Sequence, residues 1–285
     1  MSAAILRRLR SYRAQTFHTA PSTRIRSKEE AVEFVNERGF AFFWPIKEVN
    51  LPSLWVAVAG DRPVADAHDD PGHVTWGWKD SLLGKRKWYY AKVLRHKSTM
   101  IALSVAPYFY ALSENFGSPE EDYLLQYEQG LLSVDARQVY EALLREGPLH
   151  TIQLRRATGM TSGGSDYRFN RALLELEADF KVLPIGVARA GAWRYAFICE
   201  IVARHFPHLP DQARAIGHTE ARRKLAELYL RSVGASRTPD LMKLFGWKRD
   251  DAKRALDALA AAGLLRRDVS LEDTGDWAVL SELVI

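Results

Sequence analysis

The sequence predicts a mainly α fold with small β-hairpins, of the α+β class, arranged as three tandem winged-helix units. Three observations predict it. From about residue 131 the chain writes one order of parts twice: helix, short helix, long helix, hairpin. Arg171-Ala172-Leu173 is echoed by Arg254-Ala255-Leu256, and Gly147 by Gly234, at nearly equal spacing. Before that repeat, residues 27–130 carry helix, helix and hairpin signals that fit a third, divergent copy. The expected division is a basic N-terminal arm at 1–26, a divergent winged-helix unit with a helical connector at 27–130, and winged-helix units at 131–209 and 210–285.

Each element has a local reason. MSAAILRRLRSYRAQTF carries Arg7, Arg8, Arg10 and Arg13 with no acid, and reads either as an arm along DNA or as a solvated terminus. SKEEAVEFVNERG is an amphipathic helix, with Ser27 and Glu30 spaced as a capping box and Gly39 as its stop. Asp61 to His73 is a loop by its Pro, Gly and Asp content, and TWGWKDSLLG a second helix. KWYYAKVL and TMIALSV flank Arg95-His96-Lys97-Ser98, a hairpin with a basic tip. Two helical connectors follow, APYFYALSENFG and PEEDYLLQYEQG. The first clear copy comprises VYEALLREG, TIQLRRATG, YRFNRALLELEADF and the hairpin KVLPIGVARAGAWRYAFIC. In its long helix Phe169, Leu173, Leu176 and Phe180 form a core stripe at i, i+4, i+7 and i+11. The second copy comprises LAELYLRSVG, TPDLMKLFG, KRDDAKRALDALAAAG and the hairpin-like LLRRDVSLEDTGDWAVL.

Composition sets the bounds. The 285 residues suffice for two or three small domains, and 47% hydrophobic with 26% charged residues is ordinary for a globular chain. A net charge of +5 permits a phosphate partner without requiring one. The single cysteine, Cys199, excludes an intramolecular disulfide and a cysteine-based zinc site. No apolar run approaches the roughly 18 residues a membrane span needs, and no signal core is visible, so a cytoplasmic protein without membrane contact is expected. No Walker A, Rossmann glycine run, G-x-S-x-G or H-E-x-x-H motif is present, so neither cofactor nor metal is expected.

Duplex or damaged DNA is the expected partner. Lys85, Arg86, Lys87, Lys92, Arg95 and Lys97 run without an acid, and their tip could reach phosphate as a wing. Arg168 and Arg171 start the first copy's long helix, and Lys248 and Arg249 start the second's. Positive charge at a helix N-terminus opposes the macrodipole, a cost that a groove's phosphate offsets. A solvated, charge-balanced face is the alternative, the more so where Asp250 and Asp251 intervene. For catalysis, Asp66, Asp69 and Asp80 stand near Trp76 and Trp78: cleaving an N-glycosidic bond needs a carboxylate beside flat rings that hold a base. Phe42 and Trp44 join these tryptophans as stacking candidates. The same aspartates also read as a turn capping the helix that starts near Thr75, and Phe42 and Trp44 as core filling. A cluster acting on a free nucleoside is a further option, and a non-catalytic transcriptional regulator or protein-interaction module is the alternative from another class.

VYEALLREGPLHTIQLRRATG, the stretch from Arg168 to Phe197, EARRKLAELYLRSVGASRTPDLMKLFGW and RALDALAAAGLL together resemble the AlkZ-like family, the tandem winged-helix DNA glycosylases that include the YcaQ proteins. The resemblance covers the order of elements over residues 27 to 285, and is carried most by those after about Asp135. It implies recognition or repair of alkylated DNA. It also implies a Gln-x-Gln or Gln-x-Asp catalytic element after the first helix, in the setting Gly-aromatic-x-Gln-x-Asp-Pro-Ile. Here that text reads Gly39-Phe40-Ala41-Phe42-Phe43-Trp44-Pro45-Ile46, so Phe42 and Trp44 fill both polar positions. Neither can orient water, so inheritance of the fold with a rebuilt or lost active site is expected. The family's C-terminal barrel is not expected either, because the chain ends soon after the last wing.

Overall fold

The computed structural model describes residues 2–271 and 274–284. It is a mixed α/β structure of helices and three small antiparallel sheets. Its first segment is no arm. Helix α1 (Ser2–Thr16) lies against the far end of the chain: Ile5 and Leu9 are buried, Arg13 Nε donates to Val233 O at 2.8 Å, and Thr16 Oγ1 donates to Ser232 O at 2.7 Å. Arg7, Arg8 and Arg10 are exposed on the outside of this docked helix, which is neither a frayed terminus nor a free arm.

Helix α2 (Lys28–Arg38) starts as its cap predicts, with Ser27 Oγ accepting from Glu30 N at 3.1 Å. The reciprocal half of the box is displaced: the Glu30 carboxylate accepts from Arg26 N at 2.7 Å. Gly39 ends α2 at φ +80, and a Cβ there would come within 2.9 Å of Leu228 Cδ1, so both backbone and space select glycine. Next come β1 (Phe40–Phe42), α3 (Leu54–Ala59), α4 (Val74–Leu82), β2 (Tyr89–Ala91) and β3 (Thr99–Ile101). Trp88, Tyr89 and Tyr90 are all buried, while Lys85, Arg86, Lys87, Arg95 and Lys97 are exposed, so the basic run is an outer skin on an aromatic core.

Helices α5 (Ala106–Tyr110) and α6 (Asp122–Glu128) lead to α7 (Val134–Glu146), β4 (Leu149–His150), α8 (Thr151–Ala157), α9 (Asp166–Ala178), β5 (Val182–Ala188) and β6 (Ala196–Ile201). Then α10 (Val202–His205) and α11 (Leu209–Arg214) lead to α12 (His218–Val233), β7 (Ala235–Arg237), α13 (Thr238–Phe245), α14 (Arg249–Ala261), β8 (Leu265–Leu271), β9 (Thr274–Leu280) and α15 (Ser281–Val284). The turn of the last hairpin, Glu272-Asp273, lies outside the described residues.

All three sheets share one strand order, β1-β3-β2, β4-β6-β5 and β7-β9-β8. In each, the last strand of the group lies in the middle, paired with the short strand after the first helix and with its hairpin partner. The common topology carries the repeat into residues 27–130, where no residue-by-residue echo exists.

Two cores hold the chain. The larger runs from Leu9 of α1 through Phe40 of β1 to Leu225 of α12 and Leu256 of α14; the smaller gathers Leu143, Leu154 and Leu176. The α9 stripe is buried as its spacing predicts, at Phe169, Leu173, Leu176 and Phe180. Phe180 leaves the helix at φ +56 and stacks on Tyr89 of β2, with ring centroids 4.3 Å apart and planes 14° from parallel. That stack ties the first sheet to the end of α9 and fixes the walls between them.

Candidate nucleic-acid interface

Where these walls meet, a cavity of about 820 Å³ opens between the turn Leu94–His96, the end of α9 and α13. A second cavity, of about 770 Å³, shares His96, Ala178 and Asp179 with it and continues along Tyr167, Asn170 and Arg171 of α9 to Lys92. The two form one concave track touching all three groups of elements.

Cations outnumber acids along it, with Lys92, Arg95, Arg171, Arg222 and Lys243 against Asp179 and Glu175. The first cavity is lined by Arg95, His96, Arg222 and Lys243 against a single acidic residue, Asp179. Arg95 and His96 are both exposed and both hold the left-handed conformation, φ +54 and +57, which the turn fixes. Arg95 Nη1 donates to Lys243 O at 3.0 Å, joining the tip to α13. Arg222 pairs with Asp251 at 3.5 Å, while its Nε is buried without a hydrogen-bond partner among the described residues. Burial pushes the Asp179 carboxyl up from the ordinary range, and the nearby Lys181 ammonium opposes that shift.

The expected basic residues divide on inspection. Lys92, Arg95 and Arg171 line the track. Arg168 is instead engaged: its Nε donates to Asp135 Oδ2 at 2.9 Å and its Nη2 to the other carboxylate oxygen, which holds the Asp135 carboxyl below the usual range. Lys92 is partly committed too, with its ammonium 3.8 Å from Glu177 Oε1 and its backbone N donating to Glu177 Oε2 at 2.7 Å. Lys85 and Lys87 are exposed outside the lining, and Arg86 lines a different cavity, of about 340 Å³, beside His205. Lys248 and Arg249 are exposed and follow Trp247, itself a lining residue.

A second constellation forms around α4. Thr75, Lys79 and Leu82 follow the i, i+4, i+7 spacing of a buried face, and Lys79 is only 3% exposed. Its Nζ lies 4.8 Å from the ring centre of Phe197, 5.0 Å from Trp76, 5.5 Å from Phe43, 5.6 Å from Tyr90 and 5.7 Å from Tyr195. It donates to Tyr195 Oη at 3.0 Å and pairs with Asp80 Oδ1 at 2.9 Å, and Tyr195 Oη donates to the same oxygen at 2.9 Å. Burial lowers the Lys79 ammonium from its ordinary value, with Asp80 opposing; burial likewise pushes the Tyr195 phenol up. Trp44 meets Trp76 at 5.6 Å, and its Nε1 is buried without a partner among the described residues.

Trp44, Trp76 and Asp80 are thus brought together, while Asp66 and Asp69 remain in the exposed loop. The capping role falls to Asp70, whose carboxylate accepts from Gly72 N at 2.8 Å and from Arg62 at 2.6 Å. Phe42 is fully buried in β1, so it fills the core and offers no surface for a base. Trp78 is half-buried against the larger core. In the sequence Lys79 stands in the same polar stretch as Trp76, Trp78 and Asp80, and its place in the stripe with Thr75 and Leu82 marks it as inward-facing. Nothing in the sequence marks Tyr195, Arg222, Lys243 or Trp247, which come from distant parts of the chain. Among the described residues no group of three or more His, Cys, Asp or Glu side chains is placed to hold a metal ion, and no helix is long and apolar enough to cross a membrane.

The fold has a solved counterpart. The Streptomyces sahachiroi DNA glycosylase AlkZ matches with a TM-score of 0.57 at 15% sequence identity, over 98% of this chain and 70% of that one. At that identity the likeness speaks for the fold alone. No curated protein matches the chain. The family model described as AlkZ related matches residues 25–246, from just before α2 to the end of α13. On that match the chain belongs to the AlkZ-related family.

Proposed function

We propose that the three groups of elements are winged helices, at 27–130, 131–209 and 210–285, and that together they grip duplex DNA in recognition or repair of alkylated bases. The observation that carries this reading is the concave track, to which all three groups contribute and along which Lys92, Arg95, Arg171, Arg222 and Lys243 outnumber Asp179 and Glu175. Phosphate contacts from Arg95, Arg171 and Lys243 would set the register of the duplex without reading its sequence. The likeness to a DNA glycosylase fold and the family membership support the same direction.

For base excision, Asp80 is the carboxylate that this reading selects from the three aspartates. It stands beside Trp44 and Trp76, and Lys79 and Tyr195 hold it in place. Alkylated purines carry positive charge and depart readily, so one carboxylate that orients water is sufficient help. The test is titration of duplexes with and without an alkylated purine, together with release of the modified base by wild type and Asp80→Asn. Tight binding with release lost in Asp80→Asn is expected. Release that survives the replacement contradicts the assignment of Asp80, and binding without release places the chain among non-catalytic recognition proteins. Absence of duplex binding overturns the reading as a whole.

A further inference from the structure

We propose that the cavity of about 340 Å³ between the turn before β2 and the segment joining α10 to α11 binds a small organic anion, with Arg86 holding its charged head. The ligand's chemistry is one carboxylate or phosphate on an apolar body. This cavity shares no lining residue with either cavity of the track, so the proposal does not depend on DNA binding there.

The backbone singles out Arg86. Gly84 opens the turn at φ +71, and a Cβ there would come within 2.4 Å of Ile185 O, so the turn is seated directly on β5. Arg86 follows at φ +52, a left-handed conformation that residues other than glycine adopt uncommonly. Glycine would suit that position better. A fixed turn that holds a long cation where glycine fits best points to a use for the cation.

The polar lining consists of groups able to donate. Arg86, His205, His208 and Gln212 line the cavity, and among the described residues none of these side chains has a hydrogen bond or an ion pair. No acidic residue joins them in the lining. Burial lowers the His205 imidazole from its ordinary value, and the nearby Arg86 guanidinium lowers it further. Two bases set at one cavity without an acid repel each other, and an anion between them removes that repulsion. The planar guanidinium matches a carboxylate or a phosphate through two parallel N–H···O bonds.

The rest of the lining selects the ligand's body. Ala106 and Leu209 are buried there, and Leu103 and Phe206 are half-buried. The Phe206 ring is held edge-on by His205, with centroids 4.6 Å apart, and meets Tyr89 at 6.0 Å. A volume of about 340 Å³ lies near the lower end of small-molecule pockets, roughly 300–1,000 Å³, and suits a single ring or a short branched chain with its head group. A bare inorganic anion would leave the apolar lining in water, so the body adds to binding.

Calorimetric titration with phenylacetate, phenyl phosphate and the neutral phenylacetamide tests this, with inorganic phosphate and excess duplex DNA as competitors. The wild type should bind at least one of the two aromatic anions, and phenylacetamide about tenfold more weakly or not at all. Arg86→Gln should weaken the anion by about tenfold and His208→Ala by less, while Lys85→Gln, exposed outside the cavity, should leave it unchanged. Arg86→Gly, which suits the left-handed backbone, gives a second reading should Arg86→Gln disturb the turn. A preference for phenylacetate supports the proposal and assigns the site to carboxylic acids; a preference for phenyl phosphate supports it and assigns the site to phosphate monoesters. Binding of neither anion, equal binding of the amide, equal binding of inorganic phosphate, or anion binding unchanged in both Arg86 variants would overturn the proposal. Displacement by duplex DNA would overturn it too, because the cavity would then be a contact to the DNA backbone.

Discussion

Lys79 places its ammonium 3.0 Å from the hydroxyl of Tyr195, 116 residues further along the chain, and the pair joins α4 to the hairpin of β5 and β6. Both groups converge on Asp80, so three polar side chains satisfy one another inside a ring of aromatic faces. The arrangement fixes the second hairpin on the first group of elements and at the same time holds the one carboxylate assigned a chemical role.

Removing the ammonium should therefore cost stability. Lys79→Ala leaves Asp80 and Tyr195 without their partner and opens the aromatic ring. Breaking a buried pair costs about 3–5 kcal/mol, and the partial exposure of Asp80 reduces this to about 2–3 kcal/mol. Lys79→Met keeps volume and contact with the rings and should lose less. Denaturant unfolding decides it; an unchanged midpoint for Lys79→Ala would mean that the box is merely filled space.

Phe42 yields a contrasting expectation. It is fully buried in β1, so Phe42→Ala should destabilise by about 3–5 kcal/mol. Phe42→Gln, which restores the residue type of the family's catalytic element, should also destabilise and should not create base release, because the amide would be buried among apolar neighbours. A stable Phe42→Gln variant with new excision activity would show that the position reaches the track.

Alkaline pH should act through Lys181. Burial lowers its ammonium to about 8, although Nζ donates to Asn115 Oδ1 at 2.5 Å. With the folded value below the unfolded one, the folded protein binds fewer protons between the two. The penalty is full below pH about 8 and is relieved as pH rises towards the unfolded value. Wild type should gain about 1–2 kcal/mol relative to Lys181→Met between about pH 8 and 9.5. Parallel stability curves for the two proteins would refute this.

How much was legible follows from the range of each interaction. The α9 stripe, the Ser27 cap and the glycine stop at Gly39 rest on neighbours three to four residues apart, and sequence spacing exposes them. Helix α1 was legible in the same way, since Ile5, Leu9, Tyr12 and Thr16 follow a helical period, yet the arginines between them suggested an arm. The Lys79 box needs Tyr195 and Phe197 from another hairpin, and the track needs α9 and α13 to face the same turn. Only the packed chain supplies those partners. Phe42 and Trp44 were marked by what the family motif lacks, but their fates, core for one and box for the other, depend on how β1 pairs.

The two arginines of α9 should prove unequal. Arg168 is tied to Asp135 by two hydrogen bonds, whereas Arg171 is exposed and lines the track. Arg171→Ala should weaken duplex binding by about 1–3 kcal/mol if it reads a base edge and by less if it meets phosphate; Arg168→Ala should leave binding within about twofold. Equal losses in a filter or fluorescence titration would show that the ion pair opens on DNA.

Duplex DNA lying along the track that joins Arg95, Arg171 and Lys243 would make binding strongly dependent on salt. Log K against log salt should fall linearly for the wild type, by roughly 0.9 for each phosphate engaged. A variant carrying Arg95→Ala, Arg171→Ala and Lys243→Ala should show a slope shallower by about one unit for each replaced phosphate contact. No duplex binding at low salt, or a slope that the three replacements leave unchanged, would contradict DNA binding along this track.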